Sequence, residues 1–415
     1  MLKFRWETEF KETEIGEIPK DWGVRKLGEV VEVEWGNTTL TKKIYRTEGY
    51  PVFSATGQDG YADFYDREGE AVIVSAIGAY CGVCFYAKDK WTAIKNTLVL
   101  QSKKAPCSIK FLFYFLNDKE KWPELGSGQP FISKSAAEEV LIVYPPLPEQ
   151  ARIATVLSWF DDLIEVKKKQ NEILEKTAMA IFKSWFIDFE PFKDEEFVYN
   201  EELGREIPKG WEVKRLGDVV KAFKGLSYKS SEKYQENIEG GYTFITLDNF
   251  IRGGGFKNEY SWIKSKKIKT SHFVKEGDLI IALTDMTHDA KIVGAPAIVI
   301  LPNGFDYGVI SLDCMKLEPI VENLKYYLYM FLKYTQEDNS TFANGANVLH
   351  LMVNNFLVGK LLQIPPPHIL QSFHSLVEPL FQKIILNQKQ KMTLRKIRDT
   401  LLPLLVFGKL RVEEI

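Results

Sequence analysis

Two long segments of the chain place apolar or small residues at alternating steps of four and three positions. The first series is Ile153, Leu157, Phe160, Ile164, Lys167, Asn171, Leu174, Ala178, Ile181 and Trp185. The second is Phe373, Val377, Leu380, Ile384, Asn387, Lys391, Leu394, Arg398, Leu401 and Leu405. A heptad spacing held over about five repeats predicts, in each segment, a long α-helix whose seam packs in a coiled coil.

Flanking residues set the expected ends of these helices. The first should begin at PPLPEQ (145–150), where the prolines suit the first turn and Glu149 suits the positive end of the helix dipole. Pro191 and Gly408 mark the two C-terminal ends. Pro379 and Pro403 have no counterparts in the first segment, so we expect the second helix to start late or to bend near Pro379.

Each predicted helix has one seam and therefore needs one partner, and the simplest partner is the other helix. Antiparallel pairing is favoured, because a globular segment precedes each helix and parallel pairing would crowd the two together. The polar seam residues Lys167, Asn171, Asn387 and Lys391 lie mid-helix, where they cost stability but can fix the register. The alternative is that they mark a segment that opens transiently.

The remainder of the chain consists of two similar copies of one sequence pattern. IPKDWGVRKLGEVV (18–31) returns as IPKGWEVKRLGDVV (207–220), 189 positions later, and LIVYPP (141–146) returns as LLQIPP (361–366), 220 positions later. Matches between these points keep their order, so the second copy carries about 31 extra residues, mostly between Asn249 and Lys275. Trp22 with Leu27 in the first copy, and Trp211 with Leu216 in the second, are interpreted as core anchors.

Each copy begins with a globular segment, which we call the first globule (about 15–144) and the second globule (about 203–364). Short β-branched and aromatic runs such as EAVIVSAI and DLIIAL, broken by Gly and Asn, predict strands. One helix is expected in each, near 108–117 and 321–334. The fold class is therefore α+β, with two similar globules, two long helices in an antiparallel coiled coil and an internal pseudo-twofold repeat.

Composition narrows the class of protein. A chain of 415 residues should form two or three domains, and 45% hydrophobic with 27% charged residues is typical of a globular protein. No apolar run reaches the roughly 18 residues of a membrane-spanning helix, and MLKFRWETEFKE is no signal peptide, which predicts a cytoplasmic location. Four cysteines in that setting argue against a disulfide framework. A net charge of -2 requires that any DNA-binding surface be local or shared with a partner.

Sequence signals for catalysis are absent. No phosphate-binding loop, dinucleotide turn, HExxH or NPPY-type methyl-transfer motif occurs. Cys81 and Cys84 form a CxxC without a second pair nearby, so they are interpreted as buried thiols, and no metal site is expected. His288, between Asp285 and Asp289, is assigned to a polar loop rather than a metal or nuclease cluster. The chain is accordingly interpreted as a non-catalytic binding device with no catalytic residues and no cofactor of its own.

Several stretches resemble the specificity subunit of type I restriction-modification systems. They are the IPxxWxxxxLGxVV opening of each globule, PPLPEQARIATVL, IFKSWFIDFEPF and LLPLLVFGKLRV, and the likeness covers about residues 10 to 412. PPPHILQSFHSL departs from the pattern, because it lacks the Glu-Gln pair found at the head of the first helix. Identical partner contacts at the two helix heads are therefore not expected.

The resemblance implies a division of labour. Residues 1–147 would form the first target recognition domain, 148–190 the first spacer helix, 191–366 a linker with the second target recognition domain, and 367–415 the second spacer helix and tail. Each recognition domain would read one half of a bipartite site in double-stranded DNA. Two methyltransferase subunits would dock with restriction and translocation subunits, and S-adenosylmethionine, ATP and Mg would be bound by those partners.

Polar loops of the globules supply candidate DNA contacts. In the first globule they are Thr39, Thr41, Lys42, Lys43, Arg46, Gln129 and Lys134; in the second they are Tyr228, Lys229, Arg252, Lys257, Lys264, Lys266, Lys267, Lys269, Asn344 and Asn347. Gln129 and Asn347 have the geometry to recognise adenine, and Arg46 or Arg252 guanine. The alternative is that these runs are only solvated surface. Because the loops differ, we expect an asymmetric site whose half-sites are centred roughly 34–36 Å apart.

Two other classes compete with this interpretation. The first is a stand-alone enzyme that modifies nucleic acid, which the missing cofactor motifs disfavour. The second is a coiled-coil scaffold that joins two protein-binding modules without contacting DNA. Sequence-selective, salt-dependent retention on DNA separates the scaffold from a recognition subunit.

Overall fold

A computed structural model describes residues 2–103, 107–123, 128–287 and 289–414. The chain forms two compact units, Met1–Leu163 with Leu394–Ile415, and Ile164–Thr393. The first unit contains the first globule, and the second unit contains the second globule. Both units are therefore assembled from parts of both halves of the sequence.

The first globule is built on two four-stranded sheets. One has the strand order Cys84–Ala87, Ala71–Ser75, Thr97–Ser102 and Val31–Trp35, with antiparallel neighbours. The other has the order Gly57–Ala62, Tyr50–Ser54, Lys90–Ala93 and Arg67–Glu68, and its central pair is parallel. Three two-stranded pairs complete the unit: Gly23–Lys26 with Leu141–Tyr144, Phe10–Lys11 with Ile18–Pro19, and Leu2–Trp6 with Leu410–Glu414.

The second globule repeats this strand order and adds one edge strand, Lys233–Tyr234, to its second sheet. Its first sheet runs Pro296–Ile298, Leu279–Ala282, Cys314–Pro319 and Val220–Lys224. The other runs Lys233–Tyr234, Ser261–Ile263, Tyr242–Ile245, Gly308–Ile310 and Phe273–Val274, again with a parallel central pair. The remaining pairings are Glu212–Arg215 with Leu361–Ile364, Phe197–Asn200 with Arg205–Pro208, and the three-stranded set Thr284–Asp285, Leu349–Leu351 and Ala343–Asn344.

Single bridges confirm that the two globules are copies. Asn37 bridges Ile94 in parallel in the first globule, and Leu226 bridges Ser311 in parallel in the second. The glycine before each bridge is required, because a Cβ on Gly36 would lie 2.2 Å from the hydroxyl of Thr97 and a Cβ on Gly225 would lie 2.0 Å from the carbonyl of Ser311. The internal repeat and the α+β class predicted from the sequence are confirmed.

Short helices cover the sheets. In the first globule they are Leu27–Val30, Ile109–Leu116 and Lys134–Glu138, and in the second they are Leu216–Val219, Lys325–Tyr334, Gln336–Ser340 and Val353–Gly359. The expected helices near 108–117 and 321–334 are thus present. Ser108 caps the former by accepting a hydrogen bond from the backbone N–H of Phe111 at 3.2 Å. Within the described ranges, no helix has the length and apolar character needed to cross a membrane.

The duplicated opening stretch lies in the core of each globule. Trp22 and Leu27 are buried in the first globule, and Trp211 and Leu216 are buried in the second. The strand that follows each tryptophan pairs with the strand that precedes the long helix, Gly23–Lys26 with Leu141–Tyr144 and Glu212–Arg215 with Leu361–Ile364. The repeated residues therefore join the start of each globule to its end.

The two long helices are Leu147–Phe186 and Pro367–Val406, each of 40 residues. Within the second unit, Asn171 contacts Asn387 and Phe186 contacts Phe373, so numbering rises along one helix as it falls along the other. Within the first unit, Arg398 donates to Asp161 at 2.5 Å and Arg152 to the carbonyl of Val412 at 2.7 Å. Both units contain the antiparallel pairing that the sequence predicts.

The sequence predicted that the second long helix starts late or bends near Pro379, and the prediction of a late start was wrong. The second helix begins at Pro367 and is continuous through Pro379 and Pro403. Pro379 is exposed, so its ring projects away from the seam. Proline removes one backbone N–H, but the packed face of a 40-residue helix holds the chain helical on both sides of it.

The twenty positions of the two predicted seams avoid full exposure. The buried ones are Ile153, Leu157, Asn171, Ala178, Phe373, Val377, Asn387 and Leu405. The half-buried ones are Phe160, Ile164, Lys167, Leu174, Ile181, Trp185, Leu380, Ile384, Lys391, Leu394, Arg398 and Leu401. The buried face is wider than a heptad seam, because the first long helix also packs on a globule in each unit: Phe182 contacts Tyr327 in the second unit, and Asp161 accepts from Tyr114 at 2.6 Å in the first.

Asn171 and Asn387 form a buried polar contact between the helices. The amide of Asn387 donates to the side-chain oxygen of Asn171 at 2.8 Å, and the amide of Asn171 donates to the carbonyl of Ile384 at 3.2 Å. An asparagine pair inside an apolar seam is satisfied in one register only. The pairing of these side chains favours the register role of the polar seam residues.

Asn171→Leu should lower the free energy of unfolding by about 1–3 kcal/mol, because the buried amide of Asn387 then keeps only the long 3.4 Å hydrogen bond to Gln170. The double variant Asn171→Leu, Asn387→Leu should recover most of that loss, because it removes both polar groups. Urea unfolding of the full chain for both single variants and the double variant measures the coupling. Additive losses would contradict a specific pair.

Arg411 anchors the first unit. Its side chain is 8% exposed and makes two hydrogen bonds to Glu149 (2.6 and 2.7 Å), two to Asp21 (2.9 and 3.0 Å) and one to Glu7 (2.5 Å). The indole N–H of Trp22 donates to the same Glu149 at 3.1 Å. Burial raises the pKa of Glu7, but backbone N–H groups of Glu9 and Thr8 and the Arg411 guanidinium bring it to about 2. One side chain thus ties both termini to the head of the first long helix.

Arg411→Ala should cost about 3–5 kcal/mol, because it leaves buried carboxylates without their counter-charge. The matched control is Arg395→Ala, an exposed arginine on the second long helix within the same unit, which should change stability by less than about 0.5 kcal/mol. Glu149→Gln should give an intermediate loss, because the amide keeps an acceptor but loses the charge. Urea unfolding of the three variants tests this order, and equal effects for Arg411→Ala and Arg395→Ala would overturn it.

Candidate nucleic-acid interface

The first candidate loop follows the strand Val31–Trp35. Thr41 caps a 3-10 turn, Lys42–Ile44, by accepting from the backbone N–H of Lys43, and the Thr39 hydroxyl donates to the side-chain oxygen of Asn37 at 2.7 Å. Lys43 is exposed. Arg46 is also exposed, and its guanidinium lies 3.8 Å from Asp63. The turn therefore presents its cations to solvent.

Asp59 is the polar centre beneath this loop. It accepts hydrogen bonds from Lys42 at 2.6 Å, Thr56 at 2.7 Å and Ser54 at 2.8 Å, and from the Tyr45 hydroxyl. Burial raises the pKa of Asp59, but these donors outweigh it and bring the pKa to about 2. Asp59 therefore holds the turn in place as an acceptor that is ionised at neutral pH.

Three segments meet above Asp59 around an open pocket of about 360 Å³. They are residues 41–43, 54–56 and 94–96. Lys95 and Asn96 were missed in the sequence, where the pair KN separates two apolar runs, WTAI and TLVL, and indicates only a turn. Asn96 has φ +69°, a left-handed conformation that asparagine tolerates, and its carbonyl accepts from Ala76 N–H at 3.0 Å.

Gln129 and Lys134 lie apart from this pocket. Gln129 is exposed next to Pro130, whose carbonyl accepts from the N–H of Gly78 at 2.9 Å. Lys134 begins the helix Lys134–Glu138 and lies 3.9 Å from Glu138. Ser127, the first residue of the same predicted loop, lies outside the described residues.

The loop of the second globule that corresponds to residues 37–46 is residues 224–233, and its side chains make different contacts. Tyr228 is half-buried, its ring packs edge-on against Phe244 at 4.7 Å, and burial raises its pKa. Lys229 is exposed, and its backbone N–H donates to Glu232 at 2.8 Å. The Tyr228 ring is thus mainly a packing element that covers the sheet.

The basic segment 252–269 is specific to the second globule. Arg252 pairs with Asp289, Lys257 lies 2.6 Å from Glu259, and Lys264 donates to the carbonyl of Glu239 at 2.9 Å. Lys266, Lys267 and Lys269 are exposed, and within the described part of the chain no ion pair involves them. The three lysines after the strand Ser261–Ile263 therefore form the open cationic end of this segment.

Asn344 and Asn347 lie at the tip between the short strands Ala343–Asn344 and Leu349–Leu351, and both are exposed. Gly345 shapes the tip, because it has φ +141° and a Cβ there would lie 2.0 Å from the carbonyl of Val348. The N–H of Gly345 donates a hydrogen bond to the side-chain oxygen of Asn344 at 2.8 Å. Asn347 is exposed at the tip.

The cysteines are poor nucleophiles. Cys81, Cys84 and Cys314 are buried and Cys107 is half-buried, and burial raises the pKa of Cys107 and of Cys314 to about 12. Such thiols stay protonated at neutral pH. Cys81 and Cys84 belong to the apolar core of the first globule, as interpreted from the sequence.

Asp285 is used by its own loop. It accepts hydrogen bonds from the N–H groups of Thr287 and Ile292, both at 2.7 Å. Burial by itself raises the pKa of Asp285, but the hydrogen bonds have the larger combined effect, so the pKa lies below its usual value. His288 lies outside the described residues. Within those residues, no group of three or more His, Cys, Asp or Glu side chains is placed to hold a metal ion.

Comparison with known proteins places these features in a family. Residues 19–176 and 208–396 each match the family model described as the type I restriction modification DNA specificity domain. The two matched ranges contain most of the first and second globules and of the two long helices. They reproduce the internal repeat.

Individual relatives align with most or all of the chain. The type I restriction enzyme MjaIX specificity subunit of Methanocaldococcus jannaschii is 40% identical over 100% of this chain and 99% of its own length. The HindI specificity subunit of Haemophilus influenzae is 23% identical over 78% of this chain and 82% of its own. A crystal structure of a type I restriction-modification S subunit from M. genitalium is similar in fold, with a TM-score of 0.59, 20% identity and coverage of 93% and 96% of the two chains.

The duplicated family match, the near-complete alignment with the archaeal subunit and the shared fold agree with the two globules and paired helices described above. The chain belongs to the family of type I restriction-modification DNA specificity subunits.

Proposed function

We propose that this chain is the DNA-recognition subunit of a type I restriction-modification complex, in which each globule reads one half of an asymmetric, bipartite site in double-stranded DNA. The observation that carries the proposal is one strand order used twice beneath different exposed polar side chains. A repeated scaffold with different loops is suited to place two different readers on one duplex. It has no advantage for a protein that reads a palindrome.

The exposed side chains match the two tasks of a specific DNA binder. Cations such as Lys43 and Lys267 suit phosphates, which fix position, while amides such as Gln129 and Asn347 suit base edges, which carry identity. These contacts would be concentrated on loops, because a net charge of -2 gives no general attraction to DNA.

Chemistry in such a complex would be supplied by other subunits. Relatives of this chain are named specificity subunits. We assign methyl transfer from S-adenosylmethionine to two methyltransferase subunits, and ATP- and Mg-dependent translocation and cleavage to restriction subunits. Trp159 and Leu163, which are 51% and 47% exposed and lie one turn apart on the first long helix, support docking of a protein partner.

The two long helices are proposed to set the gap between the half-sites. Each contains 40 residues and spans about 60 Å at 1.5 Å per residue, which exceeds the roughly 34–36 Å of one duplex turn. Antiparallel pairing keeps this length defined, because a slip would separate Asn171 from Asn387.

Replacing residues 203–364 with the second globule of another family member should change one half-site and leave the other unaltered. Methylome sequencing of a host that expresses the chimaera with its methyltransferase and restriction subunits reads out both halves. The control exchanges the first globule instead and should alter the opposite half. A change in both halves after a single exchange would contradict independent reading.

Deleting one heptad from each long helix, in register, should change the preferred gap by some base pairs, because it removes about 10 Å from each helix. The deletions should leave the Asn171–Asn387 pair in place, so that the register is kept. Methylome sequencing again supplies the measurement. An unchanged gap with normal methylation would exclude the spacing role.

A further inference from the structure

Equivalent positions of the two globules can be matched through the strand pairing. The bridge Asn37–Ile94 corresponds to Leu226–Ser311, and the 3-10 turn Lys42–Ile44 corresponds to Ser230–Glu232. The carbonyl of Asn96 accepts from Ala76 N–H just as the carbonyl of Asp313 accepts from Leu283 N–H. The pocket segments 41–43, 54–56 and 94–96 therefore have direct counterparts in the second globule.

The two sets of residues differ in charge. The first globule presents Lys42, Lys43 and Lys95 around its pocket. In the second globule, Ser230 and Ser231 of the 3-10 turn and Leu312, which is 46% exposed, stand in these places, and Asp313 stands in the place of Asn96. Acids and bases are mixed around this position, because Lys233 lies 3.7 Å from Asp248 and Lys229 precedes the turn that contains Glu232. A DNA phosphate would therefore meet a concentration of lysines in the first copy and mixed charges in the second.

Not every polar group of the first pocket is available to a ligand. Lys42 and the hydroxyls of Ser54 and Thr56 are hydrogen-bonded to Asp59. Lys43, Lys95 and the side-chain amide of Asn96 line the pocket or its rim, and within the described residues no hydrogen bond or ion pair uses them. Two ammonium groups and one amide of the same pocket are therefore available to an anion.

We propose that Lys43, Lys95 and Asn96 clamp one phosphate of the DNA backbone, and that the equivalent place in the second globule makes no such contact. This inference rests on the proposed function and adds a positioning site to it. The anchoring of the two globules is then unequal: the first is held through its pocket, and the second through the exposed lysines 266, 267 and 269.

The measurement is the salt dependence of duplex binding by the full-length chain assembled with its methyltransferase subunits, on a duplex of arbitrary sequence. Each neutralised phosphate contributes about 0.9 to the slope of log K against log salt. Lys43→Ala, Lys95→Ala should reduce the slope by about 0.9 and weaken binding to all sequences alike. Lys95→Leu, Asn96→Asp, which installs the second globule's residues, should weaken binding further at low salt.

The charge-conserving variant Lys43→Arg, Lys95→Arg is the matched control and should keep the wild-type slope. Exposed side chains are changed in every case, so melting temperatures should remain within the wild-type range. Inorganic phosphate added at constant ionic strength distinguishes a DNA phosphate from a free anion. Phosphate should weaken binding of the wild-type complex more than binding of the alanine variant, and an equal effect on both would overturn the proposal, because the anion would then act outside the pocket.

The outcomes separate the two levels of inference. A wild-type complex that shows no salt-dependent duplex binding contradicts the proposed function itself. A wild-type complex that binds, together with an alanine variant of unchanged slope, contradicts only the pocket. A reduced slope in the alanine variant but not in the arginine variant supports the clamp.

Discussion

The buried guanidinium of Arg411 is the interaction on which the first unit depends most. Five hydrogen bonds to Glu7, Asp21 and Glu149 join a strand near the start of the chain, the duplicated IPKDW stretch and the head of the first long helix. An arginine is needed there because its planar fork serves three carboxylates at once, which a lysine ammonium does not. Without that charge, Glu149, which is 3% exposed, would be an unpaired buried carboxylate.

In the second unit, apolar packing takes the place of this ionic contact between the start of the globule and the head of the long helix. Trp211, the counterpart of Trp22, packs against Phe189 at 5.5 Å and Phe192 at 5.4 Å instead of donating to a carboxylate. Ile369 lies 220 positions after Glu149, in the place of the acid, and is buried. The departure of PPPHILQSFHSL from PPLPEQARIATVL therefore reflects a change from an ionic to an aromatic joint. The fold is kept because both joints hold the same strand pairs.

This arrangement separates what must stay constant from what is free to vary. The duplicated residues form joints and cores, while differences between the copies accumulate on the exposed turns, such as Lys42–Ile44 against Ser230–Glu232. Changes there alter the charge offered to a ligand without disturbing buried packing, since surface substitutions cost little stability. A family of DNA readers built this way can acquire new specificities on an unchanged frame.

Local patterns were sufficient for much of the architecture. Runs of β-branched and aromatic residues broken by Gly and Asn identified the strands, a spacing of three and a half residues identified the long helices, and the repeat itself required one fold twice. The seam positions followed from the heptad alone, because a helix surface is fixed by its own geometry. Resemblance of motifs such as PPLPEQARI indicated the family before any contact was known.

Other features depended on residues distant in sequence. The joint of Arg411 with Glu149 and Glu7 spans most of the chain, and no local pattern reports a pairing across that separation. The heptad pattern did not predict that Phe182 is buried, because this residue packs on a globule and not only on the partner helix. Lys95 and Asn96 indicated only an ordinary turn in the sequence, and the tertiary structure placed them around the same pocket as Lys43. Sequence determines which side chains a segment exposes, whereas only the folded chain decides which of them share a ligand.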